Sequence, residues 1–170
     1  KDFYNEMNET MALRNRPELK ALNDGAPFTL DLHHDVKSGK PGDKGVGLWL
    51  GNSATTKISG TDIKNNKIIE AKTPNKNAGG GICIDGGTLT INGTTKISDN
   101  LSGYGGGVCI FGGNFTMSNG AEISNCTGDY AGGIIIDTGG TFTMNDGTIS
   151  GCTAKNGLGG GVYVKDGTFN

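Results

Sequence analysis

Four cysteines in two matched pairs are the residues of this 170-residue sequence whose spacing most clearly suggests chemistry. Cys83 and Cys109 are 26 residues apart, and so are Cys126 and Cys152. If each pair lies on adjacent strands, its Cα atoms fall within disulfide range, but parallel side chains give the bridge a poor torsion angle. A disulfide between Cys83 and Cys109 therefore stays an open question. We expect Cys126 and Cys152 to belong, with Asn100, to a ladder of small buried side chains in one turn.

The histidines and carboxylates make a weaker case. His33, His34 and Asp35 form a cluster, but neighbouring residues of a strand face opposite ways, so they are weak candidates for a metal site or a general base. Asp85 and Asp137 each follow a predicted strand and should lie about 9–10 Å apart, a distance that an inverting glycosidase pair can span. We expect both to be solvated turn residues. The sequence predicts no catalytic residue, no resident metal and no cofactor.

Few residues are candidates for ligand binding, and the charge pattern limits the kinds of partner that the protein could bind. A carbohydrate site would have to rely on Trp49 and Tyr163 together with Asp85 and Asp137. The formal net charge is −2 and the charges are scattered, so nucleic acid is not an expected partner. No apolar run approaches the roughly 18 residues of a membrane span, so we expect no transmembrane segment in this piece. A host surface or a glycan is the kind of partner that these residues leave open.

A repeat must position these side chains. Glycine accounts for 32 of the 170 residues but has no three-residue period, which excludes collagen. The hexapeptide Gly-Gly-Gly-Ile-Cys-Ile at 79–84 returns in related form at 105–110, 131–136 and 159–164. Each copy is followed by a second short strand, and the first three copies also by a third strand with Ile before Ser. The sequence therefore predicts coils of about 26 residues with three strands each.

Alternation within the predicted strands sorts the side chains into two faces. The outer two residues of each first strand are apolar and point inward. The middle residues are predicted to face solvent and are Cys83, Cys109, Ile135 and Tyr163. Because one strand order returns in every repeat, the strands should stack as parallel coils with like residues on like. Phe115, Phe142 and Phe169 should then form one vertical stack in the core.

These repeats resemble a known family. Gly-Gly-Gly-Val-Tyr-Val and Gly-Thr-Phe-Thr-Met units, separated by Thr-Ile-Ser-Gly-Cys-Thr, are similar to right-handed parallel β-helix repeats of bacterial surface proteins. That group includes adhesin-like proteins and the polymorphic outer-membrane autotransporters, and the resemblance covers residues 79–170. It implies an all-β solenoid that serves as a non-catalytic structural or adhesive segment of a larger exported protein, outside the cell or at its surface. The alternative is a carbohydrate-binding or carbohydrate-processing β-helix.

Outward hydroxyl groups suggest a further, minor alternative. Thr-x-Thr units at 88–90 and 141–143, with Asn114 and Thr116 between them, place small polar side chains in two columns. This arrangement resembles that of β-helical ice-binding proteins. Outward Thr is also what β-propensity alone supplies.

The first 78 residues follow the repeat less closely. Residues 1–25 are predicted to form a partly helical cap. Residues 26–78 are predicted to form an irregular first coil, with strands at 28–32 and 68–69. Within this first coil, residues 48–50 and 56–59 are predicted to be equivalent to residues 89–91 and 95–98 of the next coil. The last repeat stops within a strand at Asn170, so we expect the C-terminal coil either to self-associate or to be continued by further coils.

Overall fold

The computed structural model describes residues 35–36, 47–51, 54–68 and 79–170. In this part of the chain every regular element is a strand, and the strands wind into a parallel solenoid of about three regular turns. The predicted all-β parallel solenoid is therefore confirmed. The helical cap predicted at 1–25 and the strand predicted at 28–32 lie outside the described residues. No helix in the described ranges is long and apolar enough to cross a membrane.

Each regular coil contains four strands, one more than predicted. The strands before the regular coils are β1 (Asp35–Val36), β2 (Leu48–Leu50), β3 (Thr55–Ser59), β4 (Asp62–Lys64) and β5 (Lys67–Ile68). The first regular coil contains β6 (Ile82–Asp85), β7 (Thr88–Asn92), β8 (Lys96–Ser98) and β9 (Leu101–Ser102). The second contains β10 (Val108–Phe111), β11 (Asn114–Met117), β12 (Glu122–Ser124) and β13 (Thr127–Gly128). The third contains β14 (Ile134–Asp137), β15 (Gly140–Met144), β16 (Thr148–Ser150) and β17 (Thr153–Ala154), and β18 (Val162–Val164) and β19 (Gly167–Phe169) follow.

The described strands stack into four parallel sheets. The first sheet contains β2, β6, β10, β14 and β18, and the second contains β3, β7, β11, β15 and β19. The third contains β4, β8, β12 and β16, and the fourth contains β1, β5, β9, β13 and β17. Pairing is in register with the repeat, so that Val108 lies between Ile82 and Ile134. The fourth-sheet strands of the regular coils have only two residues each, too few for alternation to reveal them in the sequence.

The predicted match for the first coil is wrong by one strand. Strand β2 pairs with β6 in the first sheet, and β3 pairs with β7 in the second. All these strands share the same alternation, which is why the pattern alone did not separate them. The distinguishing residue is Gly47, because a Cβ there would collide with the carbonyl oxygen of Gly81. Such a close backbone approach admits only glycine, and the same approach occurs at Gly81, Gly107 and Gly133, which precede the next three first-sheet strands.

The interior of the solenoid is apolar and stacked by register. Inward residues of the first three sheets, such as Ile84, Ile110 and Ile123, are completely buried. The ring of Phe142 is stacked between two others, at centroid distances of 5.2 Å from Phe115 and 5.0 Å from Phe169. Each coil therefore buries its apolar side chains against the next one along the axis rather than within itself.

The outward middle positions of the first sheet are covered, contrary to the prediction that they face solvent. Cys83, Cys109 and Ile135 are fully buried, and Tyr163 at the end of the column is partly buried. The cover comes from the segments that follow β9 and β13, which place Tyr104 and Tyr130 over the sheet. We call Tyr104, Tyr130, Phe111 and Ala131 the outer aromatic cluster.

The first-sheet strands end in turns that contain a residue with a positive φ. Gly86 and Gly112 have φ of 83° and 68° in this turn. In the third coil the same turn position is occupied by Thr138, with φ of 54°. A β-branched residue in the left-handed region is strained, so Thr138 is held there by its surroundings.

Candidate functional site

Three polar side chains from three successive coils meet at the edge of the outer aromatic cluster. The Tyr104 hydroxyl donates to Asp137 Oδ2 at 2.6 Å. Lys165 Nζ donates to the same carboxylate oxygen at 2.9 Å and to Tyr104 Oη at 3.0 Å. The side chains of Tyr104 and Asp137 are buried, whereas the Lys165 side chain is about half exposed. We call Tyr104, Asp137 and Lys165 the polar triad.

Packing and local hydrogen bonds hold the triad in place. The Tyr104 ring stacks on Phe111 with centroids 5.7 Å apart and contacts Tyr130 at 5.1 Å. Asp137 Oδ1 accepts a hydrogen bond from the backbone N–H of Thr138 at 2.8 Å. Both oxygens of this buried carboxylate therefore have donors, which is what a buried charge requires.

The electrostatics of the triad oppose acid–base catalysis near neutral pH. Burial and the hydrogen bond to Asp137 raise the pKa of Tyr104 to about 12. Burial disfavours the Asp137 carboxylate, but donation from Tyr104 and Lys165 outweighs it and lowers the pKa of Asp137. Hydrogen bonds to Tyr104 and Asp137 raise the pKa of Lys165. Each group is thus fixed in its ordinary neutral-pH form, and the triad ties coils together rather than exchanging protons.

The carbohydrate-site candidates do not converge. Trp49 and Tyr163 lie in one outward column of the first sheet, but Cys83, Cys109 and Ile135 stand between them. Four strand spacings put Trp49 and Tyr163 about 19 Å apart.

Asp85 and Asp137 are separated by one strand, on which Phe111 occupies the intervening position. Asp137 is not the solvated turn residue that we expected, because the triad buries it. His33 and His34 lie outside the described residues, and Asp35 is described only as part of β1, where it pairs with Lys67.

A regular array of mostly small polar side chains lies on the outside of the second sheet. The outward side chains alternate with buried ones along each strand, as in β7. One column contains Thr55, Thr88, Asn114, Thr141 and Thr168. The neighbouring column contains Lys57, Thr90, Thr116 and Thr143. These nine residues are called the hydroxyl face; its spacing is about 4.8 Å between strands and about 6.7 Å between columns.

The predicted ladder of small side chains lies just before the fourth-sheet strands. Asn100 Nδ2 donates to Ile63 O at 2.9 Å, and Asn100 Oδ1 accepts from the backbone N–H of Asn66 at 2.9 Å. Cys126 and Cys152 follow in the next two coils, and their thiols donate to backbone carbonyls. Cys126 is buried, but Cys152 is only half-buried. The four cysteines form no disulfide.

Two residues of the polar triad, Tyr104 and Lys165, were not predicted from the sequence. A signal for Tyr104 is present in the repeat, because Tyr104, Tyr130 and Leu158 each precede the register-matched residues Gly105, Ala131 and Gly159. A large apolar residue that recurs at one loop position indicates that the loop packs against another part of the protein. No comparable signal marks Lys165.

Comparison of the chain with protein-family models, with curated proteins and with solved structures finds no match in any of the three.

Proposed function

We propose that this chain is a non-catalytic segment of a right-handed β-helix in a larger exported bacterial surface protein, and that the hydroxyl face is its binding surface. The observation that carries the proposal is the in-register array of the second sheet, whose nine outward residues include one charged side chain, Lys57. A regular surface of this kind suits an extended, uncharged, hydroxyl-rich ligand such as a surface glycan. The location outside the cell rests on the resemblance of the repeats to those of surface proteins.

The arrangement of titratable groups supports a non-catalytic role. An acid–base pair needs groups whose pKa values lie near the working pH and that can reach a substrate. In the polar triad the phenol is buried and the pKa of Asp137 is lowered, so neither group meets that requirement. Asp85 and Asp137 are two strands apart, with Phe111 between them.

Paired threonine variants test the hydroxyl face. Thr143 on β15 and Thr148 on β16 both point outward from the same coil, but on different sheets. We expect Thr143→Lys to weaken binding on a glycan array at least about tenfold, because a long charged side chain lifts the ligand off the hydroxyl face, while Thr148→Lys leaves binding unchanged. Equal effects of the two variants, or release of reducing ends from a bound polysaccharide, would contradict the proposal.

Ice is the second candidate ligand, favoured by the regular two-column spacing of the hydroxyl face. The same pair of variants separates this function from glycan binding. Ice binding predicts thermal hysteresis in the unmodified protein that Thr143→Lys abolishes and Thr148→Lys preserves. A protein without thermal hysteresis that binds a glycan on the array would exclude ice as the ligand.

We propose that the C-terminal coil either pairs with a second copy of this chain or is continued by further coils of a longer protein. Val164 and Phe169 are 43% and 47% exposed, and both lie on strands with one described neighbour each. An exposed strand edge beside apolar side chains is a template for pairing with another strand. A two-fold axis would bring the same edge and the same apolar residues together from two copies.

A further inference from the structure

Cys126 and Cys152 occupy equivalent positions in adjacent coils. The residues that follow them, Thr127 and Thr153, are paired in the fourth sheet. Each thiol donates at 3.3 Å to the carbonyl oxygen two residues earlier. Each also lies close to the carbonyl oxygen 29 residues earlier, at 3.6 Å for Cys126 and 4.0 Å for Cys152. The two side chains therefore have nearly the same conformation.

Equivalent conformations fix the separation of the two sulfurs. Side chains related by one step along a parallel sheet are displaced by the strand spacing, so the sulfurs lie about 4.8 Å apart. A disulfide needs about 2.05 Å between sulfurs, and two side chains in the same conformation on adjacent strands do not reach that distance. With a metal–sulfur bond of about 2.3 Å, the length found for zinc thiolates, a metal ion held in a line between two thiolates would separate the sulfurs by about 4.6 Å. The ladder geometry thus matches a bridging ion much better than a disulfide.

We propose that Cys126 and Cys152 form a two-thiolate site for a soft monovalent cation, with Cu(I) as its biological ligand. Soft thiolate ligands select Cu(I), and this ion accepts two of them in a line without further donors. Binding one Cu(I) removes a proton from each thiol, so two protons are released and the bridged unit has a charge of −1. No electron is transferred.

Neighbouring groups favour this charge distribution. Asn100 Nδ2 lies 3.9 Å from Cys126 Sγ and donates toward it, and the Asn100 amide is fixed by its bonds to Ile63 and Asn66. Cys152 is half-buried and Cys126 is buried, so the ion reaches Cys152 first, and the bound cation then displaces the proton of Cys126.

The other cysteine pair is a matched control in the same chain. Cys83 and Cys109 are also paired on adjacent strands, but both are fully buried in the outer aromatic cluster beneath Tyr104. Burial raises the pKa of Cys109 well above the ordinary value. This pair lacks an exposed sulfur through which an ion could enter, so we expect it to bind no cation in the folded protein.

The test is an anaerobic Cu(I) titration of the whole chain against a chromophoric Cu(I) chelator, with native mass spectrometry for stoichiometry. We expect one Cu(I) per chain, bound more tightly as the pH rises. Cys152→Ser should weaken binding at least about a hundredfold, since it removes a ligand rather than an outer partner, and Cys126→Ala should do the same. Cys109→Ala should retain one Cu(I). Circular dichroism checks that each variant is folded, and Cu(I) should raise the melting temperature only where both Cys126 and Cys152 remain.

Several results would overturn the site. Retention of Cu(I) by Cys152→Ser would place the ion elsewhere, and loss of binding in folded Cys109→Ala would place it at the other pair. Absence of any bound Cu(I) would exclude the site. A mass loss of 2 Da in air, with Cys126 linked to Cys152, would show that the sulfurs close to bonding distance and that their separation is not fixed.

Discussion

The strongest test of the coil register is truncation of the middle phenylalanine of the core stack. Phe142 is completely buried and has a stacked ring on each side, at 5.2 and 5.0 Å. Phe142→Ala leaves a cavity that neighbouring backbones cannot fill, which costs about 3–5 kcal/mol. In a chain of this length, that loss lowers the melting temperature by about 6–20 °C. Urea denaturation followed by circular dichroism measures the free-energy change.

Phe169→Ala is the matched control for this experiment. Phe169 belongs to the same stack but has one described ring neighbour and is 47% exposed. Removing it gives up about half of the burial and creates no closed cavity, so the expected cost is about 1 kcal/mol. The reasoning depends on this difference between the two positions. If the two variants were equally destabilised, or if Phe142→Ala melted like the unmodified protein, the in-register stack would be wrong.

The remaining predictions concern the triad, a strained turn and the C-terminal coil. Tyr104→Phe removes a hydrogen bond to a buried carboxylate and should cost about 1.5–3 kcal/mol at pH 7, measured by urea denaturation. The pKa of Tyr104 in the folded protein is raised to about 12, so its contribution to the free energy of unfolding is present below pH 10 and lost between pH 10 and 12. Over that range Tyr104→Phe should lose less stability than the unmodified protein. The pKa of Asp137 is lowered in the folded protein, so its ionised form stabilises the fold above the ordinary carboxyl pKa. This stability is lost as the pH falls through the pKa of Asp137 in the folded protein. Asp137→Asn should lack this loss when its stability is measured during an acid titration. Thr138→Gly should stabilise the protein by about 1 kcal/mol, because glycine adopts the positive φ of 54° without strain; a destabilised variant would show that its surroundings need the threonine side chain. Light scattering should show a dimer that Phe169→Asp dissociates, and a strict monomer at micromolar concentration would refute pairing through this coil.

Much of the fold followed from the sequence because a stacked solenoid repeats one local environment. Residues at equal places in the repeat meet on adjacent strands, so the Gly triplets and the inward Ile and Val residues predicted parallel in-register coils. The same reasoning aligned Phe115, Phe142 and Phe169, and placed Asn100 in a ladder with the two cysteines. It did not reveal the fourth-sheet strands, because two residues such as Thr127 and Gly128 have no alternation to read.

The repeat spacing was enough to predict which residues stack along the solenoid axis, whereas the side chains that cover its outside depend on the paths of the loops in the folded chain. Strand alternation predicts that Cys83 and Cys109 point away from the core. It does not predict that the loop residue Tyr104 packs over them and buries them. The polar triad joins Tyr104 to Lys165, 61 residues away, and this contact follows from no repeat offset. Such contacts depend on the path of a loop across several coils and on the buried charge of Asp137, which needs donors from wherever the chain can bring them.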